Sequence, residues 1–134
     1  MNISIIEFIS YEESIKKAFD NISADKVLAN QKAILIKPNL VNDSPPPITT
    51  SYKCCEAIVK YIRNCSNAEI VIGEGCGDAS KETDEIFEIL GYKKLAKKLD
   101  IKLIDLNNCQ LRTLENKKCS VFPKMHLPDI AYTH

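Results

Sequence analysis

The chain lacks any apolar run approaching the roughly 20 residues that cross a bilayer. Its first ten residues are apolar but carry neither the basic start nor the small-residue cleavage site of a secretory signal. A soluble, cytoplasmic protein is the expectation. It also lacks charge of one sign: 18 Lys and Arg offset 18 Asp and Glu. No global field therefore points to nucleic acid or a membrane as partner. The densest basic cluster, Lys93, Lys94, Lys97 and Lys98, falls on one predicted helix and reads as a solvated face.

Chemistry-bearing motifs are also scarce. Among six cysteines (54, 55, 65, 76, 109 and 119) there is no C-x-x-C pair, and a reducing compartment keeps such thiols free. Buried cysteines then behave as small apolar residues. The two histidines, His126 and His134, both lie in the tail, far in sequence from Cys76, so no Cys–His dyad can be drawn. With Cys119 they have poor spacing for zinc, and no metal site is expected. No Gly-Lys-Ser/Thr follows the glycines, which excludes a P-loop. Internal repeats are absent, and Pro45-Pro46-Pro47 is the only low-complexity stretch.

What is present has the rhythm of an α/β domain. At 134 residues the chain is one domain long. Ile3 to Ile9 reads as a first strand, rich in β-branched residues. Ser10 and Glu13 match a capping box, and Ile15, Ala18, Phe19 and Ile22 share one helical face. Strands are predicted at about 33–37, 69–73 and 101–106, and helices near 11–22, 52–64 and 83–99. Thr49, Thr50 or Ser51 would cap the second helix and Thr83 the third, with Gly91 interrupting the last stretch. Leu111 to Phe122 reads as a hairpin turning at Glu115-Asn116-Lys117, followed by a loop-like tail from Pro123 to His134. The βαβαβαβ order predicts a three-layer α/β fold: a mostly parallel sheet, helices on its faces, and a C-terminal hairpin.

Ligands of open parallel sheets bind outside the carboxyl ends of the strands. That rule selects two loops. One is Lys37-Pro38-Asn39; Pro38 holds Lys37 extended, and its ammonium emerges at the rim, where it could pair with a carboxylate or phosphate. Asn39 could clamp a ligand or simply form the turn. The other is Gly73-Glu74-Gly75-Cys76-Gly77-Asp78, whose glycines would let backbone N–H groups approach a ligand or would merely make a tight turn. The candidate ligand-binding residues are Lys37, Asn39, Thr50, Glu74, Gly75 and Gly77. Cys76 is a thiol near a helix start, a candidate nucleophile or ligand with no base beside it in sequence.

The segments Ile34-Leu35-Ile36-Lys37-Pro38-Asn39-Leu40-Val41, Thr49-Thr50, Ile70-Val71-Ile72-Gly73-Glu74-Gly75, Gly91-Tyr92 and Asp105-Leu106-Asn107 occur in that order. Together they resemble domain-of-unknown-function family 362 over roughly residues 30 to 108, with Lys-Pro-Asn the most specific part. Lys37, Pro38, Asn39, Thr50, Gly73, Glu74 and Gly75 match its pattern, Glu74 standing where aspartate is frequent. Members often carry iron–sulfur ferredoxin modules, and the resemblance implies that setting. This chain has no C-x-x-C-x-x-C run, so a cluster is expected only in a partner or a further segment. Members usually continue into a Lys-Thr-His-type segment, so residues 1–134 read as the N-terminal part of a longer domain.

Three functions remain open. The chain would be an anion-binding accessory module of an iron–sulfur redox system. Alternatively it would be an enzyme on a small carboxylate or phosphate, with Lys37 and Glu74 as acid–base pair. The third is a structural half-domain without a site. A protein partner, or self-association through an uncovered sheet edge, is also expected.

Overall fold

The short β-branched runs become strands and the 3.6-periodic stretches between them become crossover helices. In the computed structural model, which describes residues 3–134, β1 (Ala33–Ile36), β2 (Glu69–Glu74) and β3 (Lys102–Asp105) form one parallel sheet in the order β1-β2-β3. Ile34 pairs with Ile70, and Ile72 with Leu103. Helices α1 (Tyr11–Asn21) and α2 (Ala24–Leu28) precede the sheet; α3 (Tyr52–Cys65) joins β1 to β2. Helices α4 (Thr83–Ile89) and α5 (Tyr92–Leu99) join β2 to β3.

Both crossovers step the chain one strand in the same direction, so right-handed connections set α3 and the α4–α5 pair on the same face. There α3 touches α5, and α1 packs on α3. The core lies between that face and the helices. Ile34, Ile36, Ile70, Ile72 and Leu103 point into it, against Cys55, Val59 and Ile62 of α3 and Ile86, Phe87, Tyr92 and Leu95. Tyr92 is fully buried; its hydroxyl donates to the Thr50 carbonyl at 2.8 Å, which satisfies the one polar atom it carries. On the opposite face Leu35 and Leu106 close over Gly73. A Cβ there would stand 2.9 Å from Leu35 Cδ1 and 3.1 Å from Leu106 Cδ2, so only glycine fits without displacement.

Helix ends follow local chemistry. Ser10 caps α1 by accepting from the Glu13 N–H, and Ser51 caps α3 by accepting from Lys53. The α4 cap is Glu82 rather than Thr83: Glu85 reaches back to accept from the Glu82 N–H, while Thr83 is buried and accepts from the Cys76 N–H of the glycine loop. Gly91, at φ +82°, splits the predicted 83–99 helix into α4 and α5, a conformation that glycine tolerates without steric cost.

Three expectations need correction. Ile3–Ile9 is not a strand. It is drawn beside α1, with Asn21 Nδ2 donating to Ser4 Oγ, the Ile9 N–H donating to Ser14 Oγ and Phe8 edge-on to Tyr11, so it reaches no strand edge. The order is therefore not βαβαβαβ, the sheet has three strands, and its crossover helices share one face instead of forming the outer two of three layers. Second, α2 was not foreseen. Third, the hairpin is longer than its sequence suggested: β4 (Leu111–Glu115) pairs antiparallel with β5 (Lys124–Pro128), not with residues ending at Phe122. Asn116 and Pro123 close the intervening loop through Asn116 N–H to Pro123 O at 2.8 Å. Pro123 has no N–H to give the ladder, so pairing starts at Lys124. The tail thus contains a strand and a 3-10 turn, Asp129–Tyr132. No helix of the described residues is long and apolar enough to cross a membrane.

Candidate functional site

Parallel register brings the carboxyl ends of the three strands to one edge. Lys37 follows the last residue of β1, Glu74 is the last of β2, and it pairs in register with Asp105, the last of β3. Because side chains alternate, Glu74 shares the helix-covered face with Ile70 and Ile72 and is buried among the residues around it.

A carboxylate so placed needs partners. Glu74 Oε2 accepts from Lys37 Nζ at 2.6 Å, and Oε1 accepts from the Gly75 N–H at 3.1 Å. The Lys37 side chain is 56% exposed against 7% for Glu74. The ammonium thus sits as a layer between a buried carboxylate and solvent. One of its three donors is committed to Glu74, and a second makes only a 3.5 Å contact with the Pro38 carbonyl. The two residues that the sequence singled out on separate loops, 37 positions apart, form one pair.

The other candidates serve the frame. Thr50 Oγ1 accepts from the Asn39 N–H at 3.0 Å, the Thr50 N–H donates to the Asn39 carbonyl at 2.9 Å, and Asn39 Nδ2 donates to the Ile48 carbonyl at 3.1 Å. These bonds close the proline-rich loop, with Leu40 and Thr49 buried beneath it. The glycine loop is equally tied down. The Gly75 N–H serves Glu74, the Cys76 N–H donates to Thr83 Oγ1 at 3.2 Å, and the Gly77 N–H donates to the Val41 carbonyl at 3.1 Å. An anion would have to displace those bonds to use the loop amides as a cradle.

Asn107, to which sequence reasoning gave no role, is the third wall. Its Nδ2 donates to the Cys76 carbonyl at 2.9 Å. A Cβ on Gly75 would come within 2.3 Å of Asn107 Oδ1, so Gly75 is required by close approach rather than by its torsion. The strand-end rule that selected Lys37 and Glu74 applies equally to β3 and would have found it. Beyond it, a cleft of about 360 Å³ is lined by Cys76, Asp78, Ser80, Lys81, Glu82, Glu85 and Asn107, and neither Lys37 nor Glu74 lines it. Cys76 is buried, its thiol donating to the Lys81 carbonyl. Lys81 itself is held between Asp43 and Asp78.

Elsewhere the thiols divide by environment. Burial pushes the Cys55 thiol up to about 11. Cys119 is held below its usual value because the backbone N–H groups of Phe122 and Val121 point at its sulfur. Among the described residues, no three His, Cys, Asp or Glu side chains converge as metal ligands would.

Comparison with known proteins adds one finding. No curated protein and no solved structure matches the chain. A family model described as "Domain of unknown function (DUF362)" matches residues 34–133, from β1 through the C-terminal turn, and so includes Lys37, Glu74 and Asn107. The chain belongs to the DUF362 family.

Proposed function

We propose that the carboxyl edge of the parallel sheet is a small-anion binding site whose one recognition group is the ammonium of Lys37, held in place by Glu74. The observation that carries this reading is the layered pair: a buried carboxylate at 2.6 Å behind a half-exposed ammonium. The carboxylate orients the lysine, and the remaining donor faces outward to a carboxylate or phosphate oxygen. Asn39, Thr50 and Asn107 stiffen the loops around that donor. As an accessory module, the chain would serve a partner that carries an iron–sulfur cluster, a setting that rests on the family resemblance.

An acid–base enzyme is a second reading, and the same contact favours it, because proton exchange needs hydrogen-bond reach and the pair has it. Glu74→Gln separates the two. Titration with inorganic phosphate and with acetate at fixed ionic strength should show Lys37→Ala losing affinity and Glu74→Gln gaining it. Loss in both variants would remove the anion site as described.

A further inference from the structure

Two apolar surfaces of this chain have no cover, and they are complementary. The first is the N-terminal segment. Ile5 is 92% exposed, and Ile3, Phe8 and Ile9 are exposed with it. Among the described residues, no backbone group of residues 3–9 bonds to another backbone group, and the Ile9 N–H serves the Ser14 hydroxyl. The segment keeps the β-branched pattern of a strand while making no ladder. Beside it, Glu7 and Glu13 are exposed and in no ion pair among the described residues.

The second is the β4–β5 hairpin. All five residues of β4 are exposed, and β5 is exposed through His126. Leu111, Leu114 and Met125 face solvent along its length, and Val121 and Phe122 at its tip are 71% and 62% exposed. Lys117 and Lys118 at that tip pair with no carboxylate among the described residues, and Lys124 meets Glu115 only at 4.0 Å. A two-stranded sheet alone is marginal in water and normally gains a third strand or an apolar cover.

We infer that the Ile3–Ile9 segment of one molecule adds as a third strand to the hairpin of a second copy. Strand addition supplies ladder partners to the backbone of the Ile3–Phe8 stretch and to the outer edge of the hairpin, which make no ladder there among the described residues. It also sets Glu7 of the segment, with Glu13 of α1 beside it, against Lys117, Lys118 and Lys124 of the hairpin, a charge match that favours a copy of the same chain. The contact uses different surfaces of the two molecules and is heterologous.

Sedimentation of the full chain from about 1 µM to about 1 mM tests this. The wild type should grow past monomer mass as concentration rises, to a dimer where two copies exchange segments reciprocally and to longer chains where they do not. The association should weaken severalfold when salt is raised from about 0.1 M to about 1 M, which shortens screening from roughly 10 Å to roughly 3 Å. Ile5→Lys and Phe122→Glu alter exposed side chains, so both should keep the wild-type circular dichroism. Each alone should stay monomeric over a range at least roughly tenfold wider than the wild type. Mixed, they should form one-to-one dimers, because one supplies an intact hairpin and the other an intact segment. A wild type that stays monomeric throughout would overturn the inference, as would dimers insensitive to Ile5→Lys. Monomers that instead bind vesicles of anionic phospholipid would also overturn it, since the hairpin would then serve a lipid surface.

Discussion

Glu74→Gln should tighten anion binding, the opposite of what removing a site residue usually does. With Lys37 Nζ 2.6 Å from Glu74 Oε2, an anion docked on the ammonium sits about 3 Å from positive charge and about 5.5 Å from negative charge. At an effective dielectric of about 20, the attraction is roughly 5.5 kcal/mol and the repulsion roughly 3 kcal/mol. Lys37 is more than half exposed, so solvent screens both, and about half of the repulsion is a fair discount. Neutralising Glu74 then favours the anion by about 1.4 kcal/mol, or roughly tenfold in Kd. Glutamine keeps one oxygen to accept from the Gly75 N–H, while its NH2 end, a donor, cannot accept from Lys37 and leaves that ammonium to the anion. Chemical-shift titration with phosphate and acetate, chloride held constant, reads the Kd directly. Lys37→Ala should abolish the response and also lower stability by about 1–3 kcal/mol, because a buried carboxylate loses its charged partner. Unchanged or weaker binding in Glu74→Gln would refute the reasoning, since the carboxylate would then not repel the ligand.

Other consequences follow from individual contacts. Gly75→Ala should destabilise by about 1–3 kcal/mol through collision with Asn107. In a double-mutant cycle with Asn107→Gly, urea melts should show part of that cost removed; strict additivity would mean the two do not touch. Alkylation with iodoacetamide near pH 8 should reach Cys119 first and Cys55 last, following their lowered and raised thiol affinities for protons. Mass spectrometry of partial reactions checks the order. Stability should fall as the pH drops from roughly 5 toward roughly 3. Hydrogen bonds from Lys16, Lys98 and Lys102 hold Asp20, Glu56 and Glu69 below their ordinary carboxylate values. The unfolded chain therefore takes up protons first, and acid favours it. Urea melts across that range, repeated with Lys98→Met to flatten the Glu56 share, measure it.

Periodicity and apolar runs were enough to locate the three sheet strands and the helices that join them. Ala33–Ile36, Ile70–Ile72 and Leu103–Ile104 are short apolar runs bounded by charged or loop residues, a pattern that suits strands of a covered sheet. The strand-end rule likewise placed Lys37 and Glu74 on one edge, because parallel strands share a direction whatever their order. Only the tertiary structure decided that the two side chains meet at 2.6 Å, since a distance across 37 residues depends on register. It also decided that the glycine loop turns its amides inward to Glu74, Thr83 and Val41, a matter of which acceptor lies nearest in space. Ile3–Ile9 shows the limit from the other side. Its pattern is that of a strand, yet a strand exists only where another edge is within reach, and in this chain the segment is tied along α1 instead.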